Sequence, residues 1–513
     1  MTHERLSPPN CLTLAAVVAA IFLLAAPALA QWNGFARDAQ HAAQSPVAAQ
    51  GLNRIIWSTP VDLAPQLIDG DILIHYGSPL VTGANTVIVP VKTGAAGGFR
   101  VDARAGADGT LIWSLPTDYV LPPYALFTPV FGPVLSSKAR LYFPGIGGTV
   151  YFRDNPDAVC SGSRKCPGQL AFFGMKNYRK HRQAYDANVV INTPLSADST
   201  GNIYFGFLVL SNSVPHLRDA HNRKLSSGIA RIDSKGKATW ISVTAAAADQ
   251  SMTGVVMNCA PAFSADLKTV YVSVSDGKAG YLLALNSRTL APIARVRLKD
   301  PESGRDATLS IDTSTTPTVG PDGDVYYGVV ENPCCENHHR GWLLHFDSAL
   351  AVLKTPGAFG YDTTVSIVPV SMIPSYSGAS SYLVMTKYNN YANIGGDGMN
   401  KIAILDPNAT ETDPISGFTV MNEVRTILGP TPNNDLPGVR EWCINSGVVD
   451  PATGAALVNS EDGKLYRWNL SANVLSESVT LTAGIGEAYT PTIVGVDGTV
   501  YAINNSTLFA VGN

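Results

Sequence analysis

The chain has 513 residues, 15% of them charged and 45% hydrophobic, with a formal net charge of −4. That balance leaves no basic footprint for DNA or RNA, and the apolar fraction excludes a disordered chain. Length alone would suggest several domains, but an internal repeat overrides that expectation.

In chain order, Arg5 precedes an apolar run from Leu12 to Leu24 and the small-residue sequence Ala28-Leu29-Ala30. This pattern predicts a secretory signal over residues 1–30, cleaved after Ala30. The run is shorter than the roughly 20 residues that a spanning helix needs. No transmembrane segment is therefore expected, and the protein is expected to be periplasmic or secreted. Residues 31–53, rich in Ala and Gln, read as a linker. Arg54 to Trp57 is a strand with no hairpin of its own.

From there the sequence repeats. The clearest copy runs from Thr316 to Asp347. Thr316 to Val319 starts a short strand at a Thr-Pro step, where proline is tolerated. Asp322-Gly323 favours a tight turn. Val325 to Val330, β-branched and aromatic, predicts a second strand. Trp342 to Phe346 predicts a third, and a weaker fourth precedes the next copy. The turn residue closing the third strand recurs as Asp102, Asp154, Asp233, Asn286, Asp347, Asp406, Asn469 and Asn513. Copies at such spacing imply radial repetition. The expected fold is all-β: an eight-bladed β-propeller of four-stranded antiparallel blades over residues 54–513. Seven blades is the alternative, if the copy near Val368-Pro369 is only an insertion. The last copy lacks an outer strand, so Ile55 to Trp57 is expected to supply it and close the ring. Closure removes sheet edges that would otherwise template aggregation.

Val101 to Trp113 reads VDARAGADGTLIW, and Ile232 to Trp240 repeats its plan: a strand ending in Asp, a Gly turn, then Trp. In these segments the chain resembles the quinoprotein-type (PQQ-repeat) β-propellers, a family that includes PQQ-dependent alcohol dehydrogenases and cofactor-free BamB-like scaffolds. The resemblance implies the propeller fold and leaves both kinds of function open.

Propeller topology sorts the unusual residues. Successive strands A to D run up and down, so D–A and B–C loops share one face. Beyond the signal an even set of cysteines remains, which in an exported protein points to disulfides. Cys160 and Cys166 are close enough to bridge. The adjacent Cys334 and Cys335 would form a vicinal disulfide or pair elsewhere, with Cys259 and Cys443 as the other candidates. All but Cys160 and Cys166 fall on the D–A/B–C face. So do Asn258, Asp312, Glu441, Trp442, Glu487 and Tyr489, the candidate ligand-binding residues at the channel mouth, together with the aromatics Tyr76, Tyr124 and Tyr361.

Cys334, Cys335, His338 and His339 carry thiols and imidazoles that suit zinc or copper. Adjacent cysteines are poorly spaced for one ion, so a disulfide-stiffened loop with two exposed histidines is the first expectation. The loop Asn389 to Asn400 is polar and Gly-rich but lacks the alternating acids of a Ca²⁺ loop. No GxSxG or HExxH motif is present. Glu441 and Glu487 lie in successive copies, where two carboxylates would suit glycoside chemistry. The resemblance implies more for a dehydrogenase: a vicinal disulfide against the quinone, a Trp as opposite floor, and Glu, Asn and Asp serving calcium and the base. Cys334-Cys335, Trp442, Asn258, Asp312 and Glu487 fall on the matching face. The cysteine pair, however, lies in the fifth copy rather than near the start, and no CxxCH haem motif is present. The sequence therefore predicts a monomeric, non-catalytic propeller without cofactor that binds a protein, peptide or glycan at the D–A/B–C face. The alternative is an oxidoreductase using PQQ with calcium on an alcohol or sugar.

Overall fold

The computed structural model describes residues 32–513 except 69, 96, 123–126, 128, 161–165, 212, 311–314, 445 and 485. The expected signal, with Asp312 and Tyr124, lies outside the described residues. Eight antiparallel sheets surround one axis. Blade 1 consists of Leu80–Val81, Thr86–Gly94, Gly97–Ala105 and Leu111–Thr117, and blade 2 of Val134–Leu135, Arg140–Pro144, Thr149–Asp154 and Gly168–Ala171. In blades 3 and 4 the inner strand is split, as Val189–Ile191 with Ser196–Ala197 and as Gly254–Val255 with Ala262–Phe263. Blade 5 has Thr318–Val319, Val325–Val329 and Trp342–Phe346; its outer edge is reduced to the bridges Leu343↔Gly357 and Phe346↔Leu353. Ser366–Pro369 is the inner strand of blade 6, so the copy near Val368 is a blade and not an insertion. Blade 7 runs from Val448–Asp450 to Val474–Thr480.

Blade 8 combines the two ends of the propeller. Ile493–Val494, Val500–Asn504 and Thr507–Gly512 are joined by Arg54–Pro60, which pairs from Arg54↔Gly512 to Pro60↔Thr507. The closing strand also brings Trp57, whose Nε1 donates to the Gly106 carbonyl of blade 1 at 2.8 Å. The Tyr501 hydroxyl reaches the same carbonyl at 3.4 Å. Other second-strand tyrosines repeat this lock: Tyr204 donates to Ser287 O and Tyr271 to Ser348 O, each at the turn of the next blade. A buried ion pair, Lys92 Nζ to Asp62 at 3.1 Å, fixes the exit of the closing strand to blade 1.

The expected linker is instead part of the propeller. Residues 32–50 follow the ring at the end where the inner strands finish. Trp32 exchanges backbone bonds with Val81 of blade 1, and Asn33 O accepts from Leu135 N of blade 2. Ala39, Gln40, Ala42 and Ala43 accept from Phe263, Val319, Ile367 and Val449 of blades 4 to 7, and Gln50 N donates to Gly498 O of blade 8. Inner-strand N–H groups facing a narrow axis need partners, and this strap supplies them. The composition now has a physical reason. Alanine permits close approach, with Ala36 and Ala43 buried. Glutamine reaches carbonyls: Gln40 Nε2 bonds Phe263 O and Ser264 O, and Gln44 Nε2 bonds Ile367 O.

Two predictions follow from these joints. Gly109 has φ +72°, and a Cβ there would stand 2.7 Å from Cδ2 of Trp57. Gly109→Ala should therefore destabilise the blade 8–blade 1 junction by more than ~1 kcal/mol, read as a lower Tm with unchanged far-UV circular dichroism at 20 °C or so.

His41 sits in the strap, fully buried, with Nδ1 2.8 Å from Pro317 O. Burial lowers its pKa from 6.5 to about 4, against the opposing pull of the Pro317 carbonyl and Asp38. Folding thus favours the neutral ring. Between those two values the unfolded chain binds a proton that the folded chain refuses, so stability falls as pH drops through this window, by on the order of 3 kcal/mol. His41→Gln, which keeps an N–H donor without titrating, should flatten that part of the stability–pH curve measured by denaturant unfolding.

Candidate functional site

The D–A and B–C loops of blades 5 to 8 line a cavity of about 280 Å³, open to solvent at the end opposite the strap. The D–A connections supply Tyr361 and Asp362, then Glu441 and Cys443, then Glu487 and Tyr489; Phe127 comes from the connection into blade 2. The B–C side supplies His339 from blade 5, and Lys387, Tyr391, Asn393 and Ile394 from blade 6. Tyr489 also lines the narrow channel below, with Asn258, prolines 129, 133, 194 and 491, and Phe35 of the strap as the floor.

The chemistry of the cavity is acidic and aromatic. Cys443 Sγ donates to Glu487 Oε2 at 2.9 Å. Burial, then Glu487 and Glu441, hold that thiol well above its ordinary pKa, so it stays protonated and is a poor nucleophile. Asp362, followed by burial, raises the Tyr361 phenol, and burial followed by Glu441 raises that of Tyr391. Lys387 is buried with its ammonium 5.9 Å from the ring centroids of both Phe359 and Tyr361. His339 packs on Tyr361 with centroids 4.5 Å apart, and Phe127 on Tyr489 at 5.9 Å. Asn389 Nδ2 lies 3.4 Å from Glu441 Oε2.

The expected site residues divide. Glu441, Glu487, Tyr489 and Tyr361 come together in the cavity. Asn258 lies in the throat, buried, its Nδ2 donating to Phe127 O at 3.1 Å. Tyr76 is buried in the core. Trp442 requires correction: its indole is fully buried among Val368, Ile444, Val458 and Tyr466, while its backbone bonds Asn389. Side chains alternate along the extended segment, so Glu441 and Cys443 face the cavity and Trp442 faces the core. It cannot serve as an exposed floor for a ligand, and its removal would cost core packing.

Cys160–Cys166 and Cys334–Cys335 are disulfides; Cys259 is buried and Cys443 is a free thiol, so those two do not pair. Among the described residues, the one trio of candidate metal-ligating atoms within 4.8 Å is Cys334, Cys335 and His339. The disulfide removes its thiolates. His338 instead meets Asn390 Oδ1 at 3.0 Å. Asp362, Glu441 and Glu487 are spread around the cavity and do not converge as a trio. In the Asn389–Asn400 loop, Asp397 Oδ1 accepts from Asn390 Nδ2 and Met399 N, which braces the loop.

Sequence reasoning missed Phe127, Asp362, Lys387 and Tyr391. Lys387 did carry a signal: it is the lone charge in Tyr382–Tyr388, a strand buried throughout.

No family model matches the sequence, and no curated protein is significantly similar to it. Solved structures do match. A europium-containing methanol dehydrogenase aligns with TM-score 0.55 at 10% identity, over 94% of this chain and 90% of its own. The quinohemoprotein alcohol dehydrogenase of Comamonas testosteroni aligns with TM-score 0.54 at 11% identity, over 96% and 82%. BamB of Moraxella catarrhalis aligns with TM-score 0.46 at 14% identity, over 90% and 99%. At such identities the likeness is one of fold, an eight-bladed β-propeller. No helix among the described residues is long and apolar enough to cross a membrane.

Proposed function

We propose that the protein is an exported, non-catalytic propeller, monomeric and without a cofactor, that binds a protein, peptide or glycan partner in the cavity at its D–A/B–C face. The observation that carries this reading is the cavity itself. It is concave and walled by Phe127, Tyr361, Tyr391 and Tyr489, with a few converging polar groups, the usual make-up of a binding site. Its most reactive side chain, Cys443, is held as a thiol against Glu487.

The second reading is a PQQ- and calcium-dependent oxidoreductase acting on an alcohol or sugar. It draws on the fold shared with the two dehydrogenases and on the Cys334–Cys335 disulfide, whose Cys335 Sγ is 4.0 Å from His339 Nδ1 at the cavity edge. Bound there, the quinone would supply a two-electron acceptor.

One set of measurements separates the readings. Glycan and peptide arrays should yield a ligand whose affinity drops at least tenfold in Glu487→Gln. A saturating ligand, at 100 times its Kd, should stabilise the fold by about 2.7 kcal/mol. If PQQ with Ca²⁺ gives that stabilisation instead, and dye reduction by an alcohol disappears in Glu487→Ala, the oxidoreductase reading replaces the first.

A further inference from the structure

We propose that the cavity takes its ligand through an organic ammonium group, a quaternary or alkylammonium head held among the rings of Tyr361, Tyr391 and Tyr489 and neutralised by Asp362, Glu441 and Glu487. This deepens the binding reading above and rests on it.

The charge census comes first. Carboxylates on the wall outnumber ammonium groups three to one: Asp362, Glu441 and Glu487 against Lys387. The field they produce reaches across the cavity: burial first and then Glu487 and Glu441 hold Cys443 in its neutral form, burial and then Glu441 do so for Tyr391, and Asp362 followed by burial does so for Tyr361. An anion entering here would meet the same opposition. A cation would be favoured.

The second observation is independent of the acids. The cavity already holds one ammonium in the way proposed: Lys387 Nζ stands 5.9 Å from the ring centroids of both Phe359 and Tyr361. Cations within about 6 Å of an aromatic centroid are attracted by the ring quadrupole, more strongly when water is excluded. Tyr391, Tyr489 and Phe127 line the same cavity. Phe35 floors the channel below Tyr489, so a ligand head would be desolvated from beneath as well as from the sides.

The geometry also selects within cations. Rings and spread carboxylates suit a soft, diffuse charge. A bare metal ion needs oxygens converging within a few ångströms, and these carboxylates do not converge.

The test uses choline and its neutral carbon isostere, dimethylbutanol, titrated calorimetrically into the full chain. Choline should bind at one per chain and at least tenfold more tightly than the isostere. Glu441→Gln and Glu487→Gln should each weaken choline at least fivefold, with the far-UV circular dichroism and Tm of the wild type reporting that the fold is kept. Equal binding of choline and isostere would overturn the proposal, because shape alone would then decide. If neither binds while a neutral oligosaccharide binds in a Glu487-dependent way, the ammonium class is wrong and the binding site stands. If choline, oligosaccharide and array peptides all fail, both fall.

Discussion

Inner strands of a propeller converge on an axis too narrow for a sheet to continue across it. Their outermost amides at that point face neither water nor a neighbouring strand. The protein answers this constraint with its own N-terminal segment: Phe263, Val319, Ile367 and Val449 each donate to successive carbonyls of residues 39–43. The same chain then continues into Arg54–Pro60, the outer strand of the last blade. One stretch of about thirty residues thus satisfies the axis and closes the circumference. Strap and closing strand are joined in sequence, so neither can detach without loading the other.

What this does for the site follows from geometry. Closing the strand-A end leaves the channel as a one-ended funnel, with Phe35 at the bottom and Tyr489 at the junction with the cavity. Groups around the mouth are then buried from below while still open above. That partial desolvation explains why Cys443 and Tyr391 are perturbed first by burial and next by the nearby carboxylates. A site of this kind is electrostatically strong, because little water stands between its charges.

Much of the fold was legible because its signals are local. The Thr-Pro starts, the Asp-Gly turn at Asp322-Gly323 and the buried second strands recur often enough to count. Closure was legible from a bookkeeping of strands, since one copy lacked its fourth. The strap was not legible, because its stabilising bonds are backbone carbonyls, which composition does not reveal; Ala and Gln there mimic a linker. The inter-blade tyrosine locks of Tyr204, Tyr271 and Tyr501 were visible as residues but not as contacts. Topology placed Glu441, Glu487 and Tyr489 correctly on one face. It could not tell which of three consecutive residues turns inward, and so it put Trp442 with its neighbours Glu441 and Cys443. Asp362 escaped notice because nothing in its local sequence distinguishes a cavity wall from an ordinary loop.

Hydrogen exchange at single-residue resolution tests the central claim most directly, namely that residues 32–50 seal one end of the channel. In the folded protein the amides of Phe263, Val319, Ile367 and Val449 should exchange as slowly as those of the second strands, such as Val272 and Tyr327, because each donates to the strap. Slow exchange at all four supports a one-ended funnel. Fast exchange at these four amides, with the second strands still protected, would mean that the strap is not bound and that the channel is open at both ends.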